Sequence, residues 1–311
     1  AVRGVSFNLR KGETLAIVGE SGCGKSVTSN AIMGLIPQPP GRISEGRVMF
    51  KNQELTKMSK KQIRKVQGVD ISMIFQDPMT ALNPTLTIGE QLTEGVRTHT
   101  NASKSEAKEK ALDMLRLVGI PNPQERLKQY PHQFSGGMRQ RIVIAMALIC
   151  EPELLIADEP TTALDVTIQA QILELFEEIQ QKTGVSIVLI THDLGVVAKI
   201  ADRIAVMYAG KIIELGTKRE IFYTPQHPYT QGLLKSVPRL DLLEEELQPI
   251  EGTPPDLFSP PTGCPFTARC PFAMEVCEHI HPSTTVKSST HQVDCWLQDE
   301  RAQAFRNELK V

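Results

Sequence analysis

An α/β fold built on a parallel sheet is predicted for this chain by three observations. From residue 1 to 235, short apolar runs alternate with amphipathic stretches of helical period, as in strands covered by helices. The apolar run Thr14 to Val18 leads straight into a glycine-rich turn, Gly19-Glu20-Ser21-Gly22-Cys23-Gly24-Lys25-Ser26, and then into a helix-forming stretch. Around residue 236 the texture changes. The acidic run Glu244-Glu245-Glu246 and six prolines between Pro249 and Pro265 mark a linker into a small module that holds four of the six cysteines.

The elements follow in order. Strands are expected at 14–18, 71–75, 153–157, 185–190, 203–207 and 211–215, each an apolar run short enough to be buried on both faces. Helices are expected from Ser26 to Leu35 and at 103–118, 137–149 and 166–182, the last capped by Asp165. Val5, Phe7 and Leu9 alternate with Ser6, Asn8 and Arg10 like a strand entered partway, so the natural N-terminus is expected upstream of Ala1. No internal repeat is present, which leaves one glycine turn per chain.

Composition narrows the function classes. The 311 residues allow a large domain and a smaller one, with 41% hydrophobic and 23% charged residues. A formal net charge of −2 argues against a chain whose main task is gripping nucleic acid. The longest unbroken apolar run, Ile142 to Cys150, is nine residues. A spanning helix needs about 20, so no membrane-crossing helix and no signal peptide are expected.

The glycine turn reads G-x-x-x-x-G-K-S, a phosphate-binding loop. Its glycines let consecutive N–H groups turn toward β- and γ-phosphates. Lys25 adds a point charge there, Ser26 offers a hydroxyl to Mg²⁺, and the following helix points its positive end at the anion. A second acidic element is Glu153 to Pro160, E-L-L-I-A-D-E-P, where an apolar strand ends in two acids. Asp158 suits a Mg²⁺ ligand and Glu159 suits polarisation of an attacking water. A third element, Phe134-Ser135-Gly136-Gly137-Met138-Arg139-Gln140-Arg141, places two glycines at a helix start with Ser135 as its cap, a second anion-binding terminus. Simple phosphate-loop enzymes lack that element.

With these residues in place the sequence resembles the ATP-binding cassette (ABC) family. Ser135-Gly136-Gly137 is similar to its signature, Gln76 within Ile74-Phe75-Gln76-Asp77-Pro78 to its Q-loop, Ala163-Leu164-Asp165 to its D-loop, and Thr191-His192-Asp193 to its switch histidine. Met138 departs from the glutamine of many cassettes, and the aromatic residue that stacks on adenine would lie upstream of Ala1. The resemblance implies an ABC-type P-loop NTPase core over 1–235 with a helical signature subdomain at about 77–150. It implies ATP bound by Gly19 through Ser26 with Val27 and Gln76, Mg²⁺ held through Ser26, Gln76 and Asp158, and Glu159 and His192 as catalytic residues. It also implies a head-to-tail pair of cassettes, in which Ser135, Gly136 and Gly137 contact ATP bound by the partner.

Gln226-His227-Pro228-Tyr229-Thr230, Gly252-Thr253-Pro254-Pro255, and Gly263-Cys264-Pro265-Phe266 through Cys270-Pro271 resemble the C-terminal extension of oligopeptide and dipeptide importer ATPases, here 236–311. The cysteine spacing C-x5-C-x6-C-x17-C lacks the C-x2-C hairpin of zinc ribbons. Cys264, Cys270, Cys277 and Cys295 leave three readings open: a [4Fe–4S] cluster, as in similar importer ATPases, a zinc ion helped by His279, His281 or His291, or no metal, with an adventitious disulfide. The module is short, so a four-ligand site is expected to stabilise it. The resemblance further implies peptide uptake, with a second similar ATPase or a second copy of this chain, two membrane permease subunits and an extracellular peptide-binding protein. The location would be peripheral, on the cytoplasmic face of the cell membrane. Nickel or glutathione cargo, an exporter role and a soluble ATPase acting on nucleic acid are the competing readings. The absence of a long heptad run and of a second cassette weighs against the last.

Overall fold

The computed structural model of the chain describes residues 1–162, 164–236 and 249–302. The strands are β1 (Thr14–Val18), β2 (Met49–Phe50), β3 (Gln53–Glu54), β4 (Ile71–Ile74), β5 (Leu154–Asp158), β6 (Ser186–Thr191), β7 (Arg203–Tyr208), β8 (Lys211–Thr217), β9 (Thr284–Val286) and β10 (Gln292–Asp294). The six strands expected from the apolar runs are present within a residue or two of their predicted ends. Residues 5–9 differ. They alternate half-buried and exposed as predicted, but among the described residues no ladder partner pairs with them, so the segment is not a strand.

The chain divides into two compact units. One comprises residues 9–14 and 29–190. In it β5 lies between β4 and β6, all parallel, with Ile71 paired to Leu154 and Leu154 to Ser186. Nearly all of these positions are buried, which explains why they read as unbroken apolar runs. The helices of this unit start at built caps. Thr87 with Glu90 and Ser103 with Glu106 form capping boxes for Ile88–His99 and Lys104–Leu117. Ile88, Leu92 and Val96, then Ala107, Ala111 and Leu115, face the core at helical spacing. From Ile142 onward the helix Gly136–Leu148 is apolar on all sides, as expected of an interior helix.

The other unit comprises residues 1–8, 15–28 and the described part of 191–311. β1 pairs parallel with β7, with Leu15 opposite Arg203. β7 turns back antiparallel into β8, and β10 adds to β8 with Gln292 opposite Leu215. β9 completes this edge. The cysteine-bearing tail therefore continues this unit's strand ladder. It also shares its core: Phe266, Cys264 and Cys277 lie in one apolar cluster with Val206, Tyr208 and Tyr229. The rings of Tyr208 and Tyr229 are 4.5 Å apart, and Phe266 meets both edge-on at 5.3 and 5.4 Å. This burial supplies stabilisation that sequence reasoning had assigned to a four-ligand site alone.

The helix after the glycine turn runs Lys25–Ile32, one turn shorter than expected. Gly34, at φ +67°, breaks the helical path just beyond it.

Candidate functional site

In the second of these units, β1 delivers the chain to Gly19 at φ +154°. A Cβ there would lie 2.1 Å from the Met207 carbonyl oxygen, so only glycine fits. The loop then turns into the helix at Lys25. Both the backbone N–H and the hydroxyl of Thr28 donate to the Gly24 carbonyl, at 3.0 and 2.9 Å, and tie loop to helix. Lys25 is only 5% exposed. Its Nζ donates to the carbonyls of Gly19 at 2.7 Å and Glu20 at 3.0 Å, so the ammonium already sits in the mouth of the loop. Burial raises the Cys23 thiol above its ordinary value and keeps it neutral. Ser21, Gly22 and Val27 are exposed, and Ser26 is half-buried.

Glu20 is held from the tail. Its N–H donates to the Tyr229 hydroxyl at 3.0 Å, and its carboxylate accepts from Arg269 at 2.7 and 3.0 Å. In the same unit His192 is exposed at the end of β6. Its neighbour Asp193 caps the helix Leu194–Ile200, accepting from Gly195 N–H at 2.8 Å, which fixes the turn that carries the histidine.

In the other unit β5 ends on Asp158, 5% exposed, and Glu159 follows at φ +47°. A left-handed conformation in a residue other than glycine costs of order 1 kcal/mol and is typical of active sites. Here it is held by a hydrogen bond from Glu159 N–H to the Ile190 carbonyl at 2.8 Å. The Glu159 carboxylate accepts from Gln76 Nε2 at 3.0 Å and from Thr162 Oγ1 at 2.9 Å. Sequence placed Gln76 and Glu159 in separate motifs. The structure joins them directly, because β4 and β5 are adjacent and Phe75 already leaves the strand for the surface.

Ser135 caps Gly136–Leu148, accepting from Met138 N–H at 3.4 Å, and both Ser135 and Gly136 are exposed. Gly137 packs against Ile168 so closely that a Cβ would approach its Cγ2 to 2.8 Å. Ile168 N–H in turn donates to Asp165, the cap of Val166–Thr183, at 3.0 Å. The signature turn and the Asp165 turn therefore lean on each other. Ala163 lies outside the described residues.

The four tail cysteines face one small cavity, which is also lined by His227, Pro228, Thr267 and Trp296. All are free thiols. Burial pushes the Cys270 thiol up to about 11 and raises those of Cys264 and Cys295. Among the described residues, no three His, Cys, Asp or Glu side chains are gathered round a point as ligands of one metal ion. None of His279, His281 and His291 lines the cavity. His291 Nε2 instead meets the buried Glu214 carboxylate at 2.8 Å, His281 Nδ1 faces the Pro282 carbonyl at 2.8 Å, and His279 is exposed. The histidine on the cavity is His227. Its Nδ1 accepts from Tyr229 N–H at 3.0 Å, so its proton sits on Nε2, buried and without a partner. Burial lowers its pKa to about 4, so the ring is neutral near pH 7. Sequence analysis named His227 only as part of the extension's motif, with no place at the cysteines, and did not name Arg269, since nothing in spacing tells which polar side chain ends on the cavity or the loop.

A glycine loop closed by a buried lysine, an acid pair ending a parallel strand and a capped Ser-Gly-Gly helix start define a P-loop nucleotide-binding cassette. This chain belongs to the ABC transporter family, whose profile matches residues 2–162. A second profile, oligopeptide/dipeptide transporter, C-terminal region, matches residues 213–277. The chain is 70% identical over 303 residues to the dipeptide transport ATP-binding protein DppD of Bacillus subtilis, covering 97% of this chain and 90% of that protein. It is 59% identical to the oligopeptide transport ATP-binding protein OppD of the same organism, covering 96% and 83%. Among solved structures, it is similar to a dimeric post-hydrolysis ATP-binding cassette bound to ADP and Pi (TM-score 0.62, 29% identity, 70% of this chain and 90% of that one). It is also similar to cbiO1 of Clostridium perfringens, part of an ABC transporter complex (TM-score 0.63, 30% identity, 72% and 84%).

Proposed function

We propose that this chain binds and hydrolyses ATP to power uptake of dipeptides or oligopeptides through membrane permease subunits. The observation that carries the reading is the presence, in one folded unit, of a built phosphate loop with Lys25 in its mouth and a tail matched by the peptide-transporter profile. The loop N–H groups and Lys25 take the phosphates, with Val27 and Gln76 beside the nucleotide. Ser26, Gln76 and Asp158 hold Mg²⁺, Glu159 polarises the attacking water, and His192 senses the γ-phosphate. Ser135, Gly136 and Gly137 reach ATP bound by a second cassette, a similar ATPase or another copy of this chain. The exposure of Ser135 and Gly136 on a capped helix start supports that role, as does the dimeric state of the similar ADP-bound cassette. Loss of the γ-phosphate bridge then opens the pair, and the Gln76 loop passes this to the permease.

The domain assignment is a core over 1–235, with a helical part at about 77–150, and a peptide-importer extension over 236–311. Among the described residues no helix is long and apolar enough to cross a membrane. A peripheral location on the cytoplasmic face, with two permease subunits and an extracellular peptide-binding protein, completes the assignment. Reconstituted in vesicles with those subunits, the chain is expected to hydrolyse ATP faster when a dipeptide and the binding protein are added. Stimulation by nickel or glutathione but not by peptides would sink the cargo assignment.

The cysteine cavity is assigned to a [4Fe–4S] cluster held by Cys264, Cys270, Cys277 and Cys295. All four thiols line one cavity, and their spacing lacks the C-x2-C hairpin of zinc ribbons. The unpartnered Nε2–H of His227 offers a donor to sulfur. When bound, the cluster supplies a covalent cross-link among segments of the tail. The raised thiols must lose protons to bind it, so loading is expected to release protons. Protein purified without oxygen is expected to be brown, with iron and acid-labile sulfide in equal amounts. Colourless protein carrying stoichiometric zinc would overturn the assignment.

A further inference from the structure

Arg269 lies on a short turn, Thr267–Arg269, between Cys264 and Cys270. That turn is tied to the cysteine cavity by its backbone. Thr267 N–H donates to the Cys264 carbonyl at 3.1 Å, and Cys270 N–H donates to the Thr267 carbonyl at 3.2 Å. The side chain leaves the turn and ends on the phosphate loop. Nη1 and Nη2 donate to the two oxygens of Glu20 at 2.7 and 3.0 Å, a bidentate fork. Nη1 also donates to the Tyr208 hydroxyl at 3.2 Å, Nη2 to the Ile250 carbonyl at 3.1 Å, and Nε to the Glu251 carbonyl at 2.8 Å. A guanidinium has five N–H donors, and here all five have acceptors. The group also stands 5.8 Å from the Tyr208 ring and 5.9 Å from that of Phe266, with its side chain only 4% exposed. Glu20 meanwhile loses its N–H to Tyr229, so both its backbone and its side chain are held by residues of the C-terminal region.

We propose that Arg269 is a positioning residue for the phosphate loop. It acts through Glu20, and it makes the cysteine turn a remote determinant of nucleotide affinity. Glu20 opens the loop directly after Gly19, and its carbonyl is one of the two that hold Lys25. Fixing Glu20 therefore fixes the lysine and the loop in the shape that receives phosphate, before the nucleotide arrives. Lysine in place of Arg269 would keep the charge but lose the fork and the contacts to Ile250 and Glu251.

The inference rests on the loop being an ATP site, and one experiment separates the two. Calorimetry with a non-hydrolysable ATP analogue and Mg²⁺ is run on the full chain, on Arg269→Lys, Arg269→Gln and Glu20→Gln, and on the Arg269→Gln/Glu20→Gln double variant. Arg269→Gln and Glu20→Gln are each expected to weaken binding roughly tenfold, with Arg269→Lys between wild type and Arg269→Gln. The double variant should lose no more than either single one, because both remove the same contact. In the reconstituted transporter carrying Arg269→Gln, KM for ATP should rise while kcat stays. A wild-type chain that fails to bind the analogue removes the ATP reading and the inference with it. A wild type that binds, beside an Arg269→Gln chain of unchanged affinity, removes the inference alone. So does an additive, roughly hundredfold loss in the double variant, or a fall in kcat with KM unchanged. Should Arg269→Gln fail to fold, Arg269→Lys and Glu20→Gln carry the same comparison, and wild-type affinity in both overturns it.

Discussion

Replacing Glu159 by glutamine is expected to leave ATP binding near the wild-type value and to lower turnover about a thousandfold, the middle of the range for loss of a general base. The geometry explains why binding survives. One carboxylate oxygen accepts from both Gln76 Nε2 and Thr162 Oγ1, at 3.0 and 2.9 Å. An amide oxygen in the same place accepts both, so the backbone at φ +47° keeps its support. What disappears is the negative charge and the basicity that polarise a water. Single-turnover hydrolysis in the reconstituted transporter, set beside calorimetric ATP affinity, reads both quantities. Near-normal hydrolysis would remove Glu159 from the catalytic role, and the Gln76–Glu159 contact would then be structural.

Lys25→Ala is expected to weaken ATP binding roughly a hundredfold, since hydrogen bonds from a charged donor contribute about 1.5–3 kcal/mol each. The ammonium is buried and satisfied by two carbonyls of its own loop. Its charge therefore waits in place, and little reordering entropy opposes its transfer to a phosphate. Removal also leaves the Gly19 and Glu20 carbonyls without that donor, so some loss of thermal stability should accompany the loss of affinity. The two effects separate in calorimetry below the melting transition. Unchanged affinity in the folded protein would contradict the assignment of the loop.

Much of the cassette was legible in the chain because its signals are local. A strand buried on both faces must be apolar, so β1, β4, β5, β6, β7 and β8 announce themselves as runs. A loop that turns its N–H groups to an anion needs glycines at set intervals, so Gly19, Gly22 and Gly24 are readable as a motif. Helix starts at Ser135 and Asp165 follow from side chains that accept the first free N–H groups. Residues 5–9 show the limit: alternation predicts an extended backbone, but a strand also requires a partner.

The contacts that join distant segments were not legible. Gln76 meets Glu159 because two strands are neighbours, and Arg269 meets Glu20 across 249 positions. His227 faces the cysteines while His291 is taken up by Glu214. An arginine, a histidine or a glutamine looks the same in sequence whether it ends in solvent or in a buried fork. Burial and long-range pairing decide between those fates, and both are properties of the folded chain. Residue order alone thus marked six strands, the glycine motif after β1 and the family, through periodicity and local backbone demand. Tertiary packing alone decided which side chains hold the loop, and that the cysteine tail shares a core with it.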